Sequence, residues 1–223
     1  DSSWLSSVVN KMKSDDIDYM GCRVEIQNKG STDTLAALHN QIMGFPIKRS
    51  IDKAHYVPTC CLVTKAALFE KLGQFDPMLI SGGDVEFGNR VFQTGIELHY
   101  APEVIVYHPA RSTLISLGKK YLRVGRGVCQ IAQRYPIAEL YPTRVPHYRR
   151  SFIRRILPPK PSSFFQKLNS QLEEREIVIS WLQAFLLYFI DWYAKWAMAA
   201  GYIIERVSGN FEKAEVHRNA CDS

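Results

Sequence analysis

In the stretch LISGGDVEFGNRV, residues 79 to 91, Asp84 follows Gly82 and Gly83 directly, Glu86 comes two positions later and Arg90 closes the segment. Glycines permit turns and close approach that a Cβ would block, and an aspartate at a helix start accepts from free backbone amides. Such a carboxylate can simply cap the helix. In a site that a ligand enters, it can instead take a proton as a general base. The amides of a helix start also favour anionic ligands. Downstream, His108 ends the β-rich run EVIVYHP, and Arg111, Arg123 and Arg126 follow it. The RVGRG segment could grip phosphate through guanidinium forks and glycine-freed amides, or it could be a solvated basic helix face. His108 is equally open to a plain structural role.

The remaining reactive residue types exclude more than they offer. His39, His55, His99, His147 and His217 show no metal-ligand spacing. Cys22, Cys60, Cys61, Cys129 and Cys221 are odd in number and contain no C-x-x-C pair, which argues against a disulfide framework or a zinc site and for a reducing compartment. Cys60 and Cys61 lie in the apolar segment VPTCCLV, where thiols are expected to have raised pKa values and to act as inert fillers.

The elements that must position these residues can be read from periodicity. WLSSVVNKM has helical spacing, DIDYMGCRVEI alternates like a strand, and TLAALHNQIM is a second short helix. HYVPTCCLVTKAALFEKLGQF reads as a strand or tight turn and then a helix that stops at Gly73. VEFGNRVFQTG is a helix of about three turns ending at Gly95. IELHYAPEVIVYHPAR supplies two β-rich runs split by Pro102, and STLISLGKKYLRVGRGVCQIAQRY is a long helix up to Pro136. Helices interleaved with strands predict an α/β layered domain through about residue 135.

A different composition follows. Residues 144 to 160 carry six arginines and lysines and no acid, within a Pro-rich, linker-like stretch. The net charge of +6 suits anionic partners. Without zinc spacing, a helix-turn-helix or aromatics on basic strands, nucleic acid is not expected to be one of them. Residues 177 to 204 contain only Asp191 and Lys195 as charges, yet the longest uncharged run, Ile177 to Ile190, is 14 residues. A bilayer core needs roughly 20. Glu176, Ser180, Gln183, Asp191 and Lys195 fall near a 3.6-residue period and predict a narrow polar face, with Asp191 and Lys195 able to pair at i, i+4. An interfacial or partner-packing helix, a tilted transmembrane helix and a core helix all remain open. The tryptophans and tyrosines between Trp181 and Trp196 lean toward a headgroup region. DSSWLSSVVNKMKSDD shows no signal peptide and no initiating Met, so the chain is expected to begin inside a longer protein.

The order of the pieces carries a resemblance. PTCCLVTKAALFEKLGQFDPMLISGGDVEFGNRVFQTGIELHYAPEVIVYHPAR, followed by KKYLRVGRG, resembles the C-terminal half of family 2 glycosyltransferases with the GT-A fold. That resemblance implies a partial GT-A-like α/β domain over residues 1–135, a basic linker over 136–163 and an amphipathic helical tail over 164–223. It implies an inverting transferase in which Asp84 is the catalytic base, and Glu86 contacts the acceptor or orders the loop. Thr59, Cys60, Gly82 and Gly83 would line the donor and acceptor, Arg111, Arg123 and Arg126 would hold the diphosphate, and His108 would help bind a metal. The implied partners are a nucleotide-sugar donor, a saccharide or lipid-linked acceptor and a membrane surface, at its cytoplasmic inner face.

Two departures qualify it. The family's usual Glu before the base is Gly83, and the D-x-D that binds Mg²⁺ or Mn²⁺ has no counterpart, since Asp16 and Asp18 fall in a helix-to-strand connection. The expectation is therefore a fragment, inactive alone. A non-catalytic carbohydrate-binding module and a membrane-associated interaction module are the alternatives.

Overall fold

The computed structural model describes residues 2–27, 34–135 and 157–208. Most of the basic stretch, with His147, His217 and Cys221, lies outside them. The chain begins with helix α1 (Ser2–Ser14), which leads into strand β1 (Tyr19–Gln27). β1 is the centre of a three-stranded sheet ordered β2-β1-β3. Strand β2 (Leu62–Thr64) runs antiparallel to it and strand β3 (Leu98–Pro109) runs parallel.

β3 is one strand where two were expected. Its register against β1 jumps from Cys22↔Ala101 to Arg23↔Ile105. Pro102, which has no N–H to give the ladder, lies in the skipped segment, so the proline is absorbed by a bulge and does not end the strand. Tyr19, Met20, Cys22, Val24 and Ile26 of β1 are buried with Val57, Phe87, Val91, Leu98, Ala101 and Val104 in the main core.

Helix α2 (Leu35–Met43) is capped by Thr34, whose hydroxyl oxygen accepts from Ala37 N at 3.1 Å. Helix α3 (Ile47–Ala54) has no clear signal in the sequence, because IKRSIDKA buries only Ile47, Ser50 and Ile51. It ends at His55, which adopts a left-handed φ of 52° with its ring stacked 3.7 Å from Phe92. A single 3-10 turn (Thr59–Cys61) precedes β2, and helix α4 (Ala66–Leu72) ends at Gly73 as its spacing implied. Helix α5 (Gly83–Gln93) precedes β3, and helix α6 (Leu114–Arg134) follows it.

The tail forms helices α7 (Pro161–Arg175) and α8 (Trp181–Val207). Ile42 and Met43 of α2, Leu117 of α6, Phe164 and Leu168 of α7, and Leu187 and Ile190 of α8 share a second buried cluster. α6 and α8 approach backbone to backbone: a Cβ on Gly125 would meet Met198 O, and one on Gly201 would meet Leu122 O. The expected polar face of the tail helix is corrected at its start. Glu176 is the left-handed cap of α7, and Ser180 is the N-cap of α8 in a capping box with Gln183.

Within α8, Asp191, Lys195 and Glu205 turn toward the protein, while Arg206 at its last turn is exposed. Asp191 Oδ1 lies 3.5 Å from His39 Nε2, Glu205 bonds to Arg126 and Gln130, and Lys195 donates to Leu157 O at 2.7 Å. Trp181, Leu182, Phe185, Phe189, Tyr193, Trp196, Ile203, Ile204 and Val207 are exposed instead. Among the described residues no helix is long and apolar enough to cross a membrane.

Candidate active site

The loop before α5 and the α3–β2 connection meet at Asp84. Gly82, not Asp84, is the N-cap of α5, and it has φ 89°. Only a residue without a Cβ suits both that backbone and its surroundings, since a Cβ there would sit 2.6 Å from Ile131 Cδ1. The turn places Asp84 inside the first helical turn, where its carboxylate reaches across the chain. Oδ1 accepts from its neighbour Val85 N at 2.9 Å and Oδ2 from Thr59 N at 3.3 Å.

Both direct donors are neutral amides, and among the described residues no cation reaches ion-pair distance of Asp84. Burial therefore dominates and raises the Asp84 pKa above its ordinary value, with the amides of Thr59 and Val85 and the more distant Arg123 pulling the other way. Asp84 is the kind of group general-base chemistry uses: a desolvated carboxylate with unspent basicity.

Glu86 lies further into the helix and behaves oppositely. It is 3% exposed and forks the Arg90 guanidinium, Nε to Oε1 at 2.5 Å and Nη2 to Oε2 at 2.9 Å. Arg90 also donates to Leu72 O through Nη1 and to Gln74 O at 2.7 Å. The pair fastens the turn after α4. From there Asp76 accepts from Met78 N at 2.8 Å and from the Tyr135 hydroxyl at 2.7 Å. Of the two roles expected for Glu86, its contacts belong to loop ordering.

The opposite wall comes from β3 and α6. His108 Nδ1 lies 2.9 Å from Pro109 O. A carbonyl only accepts, so Nδ1 is the donor in this contact. The His108 ring packs 4.9 Å from Phe45, and the Lys120 ammonium sits 5.4 Å from the same Phe45 ring and 5.3 Å from Tyr121. Burial and then the charges of Arg111 and Arg123 lower the Lys120 pKa to about 8, while Cys60 acts in the opposite sense. Arg123 Nη1 reaches Ile80 O and Ser81 Oγ, each at 3.4 Å. Arg111, Lys120 and Arg123 thus crowd one side of the site, and like charges held together in this way favour an anion between them.

The expected residues divide accordingly. Asp84, Thr59, Cys60, Gly82, Gly83 and Arg123 converge, and Arg111 and His108 join them through Lys120 and Phe45. Arg126 is turned away, its Nε bonded to Glu205 Oε2 at 2.6 Å on the α8 side. The two thiols also split. Cys61 is buried and raised, first by its hydrogen bond with Cys60 and then by burial. Cys60 is exposed and lowered by the same bond, which corrects the expectation that both thiols are raised.

Lys120 and Gln130 are site residues that sequence reasoning missed. The signal was present, since Lys120, Arg123, Gly127 and Gln130 recur at i, i+3, i+7 and i+10 on one face of α6. Metal ligands do not assemble here: among the described residues there is no group of three or more His, Cys, Asp or Glu that could hold an ion. His108 alone could contribute one bond, which is too few for a cation site.

No family model matches the chain. It is 34% identical over 128 residues to the glycosyltransferase AglE of Haloferax volcanii, a match covering 57% of this chain and 41% of that protein. It is 30% identical over 81 residues to the pre-mycofactocin glycosyltransferase of Mycobacterium tuberculosis, covering 36% of this chain and 17% of the relative. The chain therefore spans less than half the length of the curated relatives it matches. Both carry the name glycosyltransferase, and the mixed α/β sheet-and-helix architecture is compatible with that class.

Proposed function

We propose that this chain supplies the base-bearing, acceptor side of an inverting glycosyltransferase of the family 2, GT-A type, acting on a nucleotide-sugar donor. The observation that carries the reading is Asp84, a desolvated carboxylate on neutral amides, facing the cations Arg111, Lys120 and Arg123 across Cys60. Asp84 would take the proton of an acceptor hydroxyl as that oxygen bonds to the anomeric carbon. The bond from that carbon to the donor's diphosphate breaks, and the nucleoside diphosphate leaves with the electron pair. The three cations would meet its growing negative charge. A Mg²⁺ or Mn²⁺ ion on the diphosphate would draw its carboxylates from outside the described residues.

The outward apolar face of α8 supports placing this chemistry at a membrane surface with a lipid-linked or polysaccharide acceptor. The reading is tested by Asp84→Asn in the protein that carries this chain, measuring sugar transfer and donor binding together. Loss of transfer with donor affinity retained is the expected result. Retained transfer would move the base elsewhere.

A further inference from the structure

The loop that delivers Asp84 is held through its backbone by a side chain, and that side chain is oriented from the tail. Ile80 N donates to Gln130 Oε1 at 2.8 Å. A carboxamide can face either way, and the wrong face would set its NH₂ against the Ile80 N–H. The choice is made by Glu205 of α8, whose Oε1 accepts from Gln130 Nε2 at 2.8 Å. A carboxylate only accepts, so the amide's NH₂ must turn to it and the Gln130 oxygen is left for Ile80. Glu205 is 4% exposed, and its charge is balanced by Arg126 Nε on the other oxygen at 2.6 Å.

The elements of this relay have little room to slide. α6 and α8 touch at Gly125 and Gly201, and a Cβ on Gly127 would overlap Ser81 O. We infer that Glu205 is a positioning residue for the transfer reaction: through Gln130 it fixes the Ile80 amide and with it the Leu79–Gly82 loop that sets Asp84. The tail helix is then part of the catalytic apparatus and more than an attachment to it. This rests on Asp84 being the base.

Gln130→Met removes the acceptor while keeping the side chain's length, and Glu205→Gln removes the charge that orients it. The exchange Gln130→Glu with Glu205→Gln restores the pattern with the roles swapped: the carboxylate now on α6 accepts from Ile80 N and from the carboxamide now on α8, whose oxygen accepts from Arg126. Hydrogen exchange on this chain reads the relay without any activity. Ile80 and its loop neighbours should exchange faster in Gln130→Met and return to the parental rate in the swapped pair.

Kinetics in the protein that carries the chain should show kcat falling about 10-fold with donor KM within about twofold, as a small misplacement of the base predicts. The acid limb of the pH profile should move to lower pH, because a loosened loop lets water reach Asp84. Unchanged Ile80 exchange in Gln130→Met, or a swapped pair that restores neither exchange nor kcat, overturns the relay. Full turnover in Asp84→Asn would instead sink the base assignment and leave the exchange result standing.

Discussion

The first turn of α5 and the middle of α8 each half-bury an aspartate, and they leave it in opposite states. Asp191 meets His39 Nε2 at 3.5 Å and feels the charges of Lys167 and Lys195, and these outweigh burial and lower its pKa. Asp84 meets the amides of Thr59 and Val85 with only Arg123 at longer range, and burial wins and raises its pKa. A buried carboxylate given cations is committed to holding elements together, here α2, α7 and α8. One given only neutral donors remains ready to accept a proton, a state that folding alone does not favour.

Asp84→Asn should break the contrast most sharply. Transfer should fall by about 1,000-fold, the middle of the range for losing a general base, while thermal stability holds or rises. The sign follows from the shift. With its native pKa above 3.8, Asp84 binds a proton in the folded state that the unfolded state has released, so stability falls as pH rises through that interval. The asparagine variant should lack this slope in urea titrations across pH. In the parent protein, kcat should climb over the same interval as the carboxylate becomes free to act.

Next in size is Arg90→Met. Glu86 would keep its burial and lose its fork, and leaving one buried charge unpaired costs about 3–5 kcal/mol. Chemical denaturation should show that loss, together with faster proteolysis after Leu72, where Arg90 holds the carbonyls of Leu72 and Gln74. Smaller losses would mean that Glu86 is not the structural member of the pair Asp84 and Glu86.

These two residues also mark how far the sequence could be read. The helix containing them, its stop near Gly95 and its place between GQFDPML and VIVYHPAR were legible from spacing and order. Their division of labour was not, because it depends on which partners distant segments bring: Thr59 N lies 25 positions from Asp84, and the carbonyls of Leu72 and Gln74 lie 18 and 16 positions from Arg90. Pro102 misled for a related reason, since a bulge in the pairing with β1 accommodates a residue that locally reads as a break. Helix α3 was silent because its eight residues bury too few apolar side chains to set a period. Lys120 was hidden among more conspicuous arginines, although the face it shares with Arg123 could have been counted.

Asp191→Asn tests the structural side of the comparison and should be milder, about 1–3 kcal/mol, since the amide keeps the carboxylate's shape beside His39 and loses only its charge. Its pH signature should be the reverse of Asp84's. A pKa held below 3.8 gives stability that is complete above that value and is lost as pH falls through the native pKa. The variant should therefore converge with the parent protein in acid. If the two remained equally far apart at low pH, Asp191 would be acting through packing and not through its charge.

The outward face of α8 should show the smallest effect on stability and a large one on location. Turning Asp191 and Glu205 inward while exposing Phe185, Phe189 and Trp196 reverses the usual order of an amphipathic surface helix, whose charges face water. A helix of this length presents a stripe about 40 Å long. Aromatic residues along such a stripe suit the boundary between lipid headgroups and acyl chains. Phe189→Ser with Trp196→Ser should then change unfolding free energy by no more than about 0.5 kcal/mol, as exposed positions do, and should abolish sedimentation with anionic phospholipid vesicles. If both stability and vesicle binding stayed at the parental level, the face would not be a lipid contact. A stability loss comparable with Asp191→Asn would mean that α8 holds the fold from its outer side as well as its inner one.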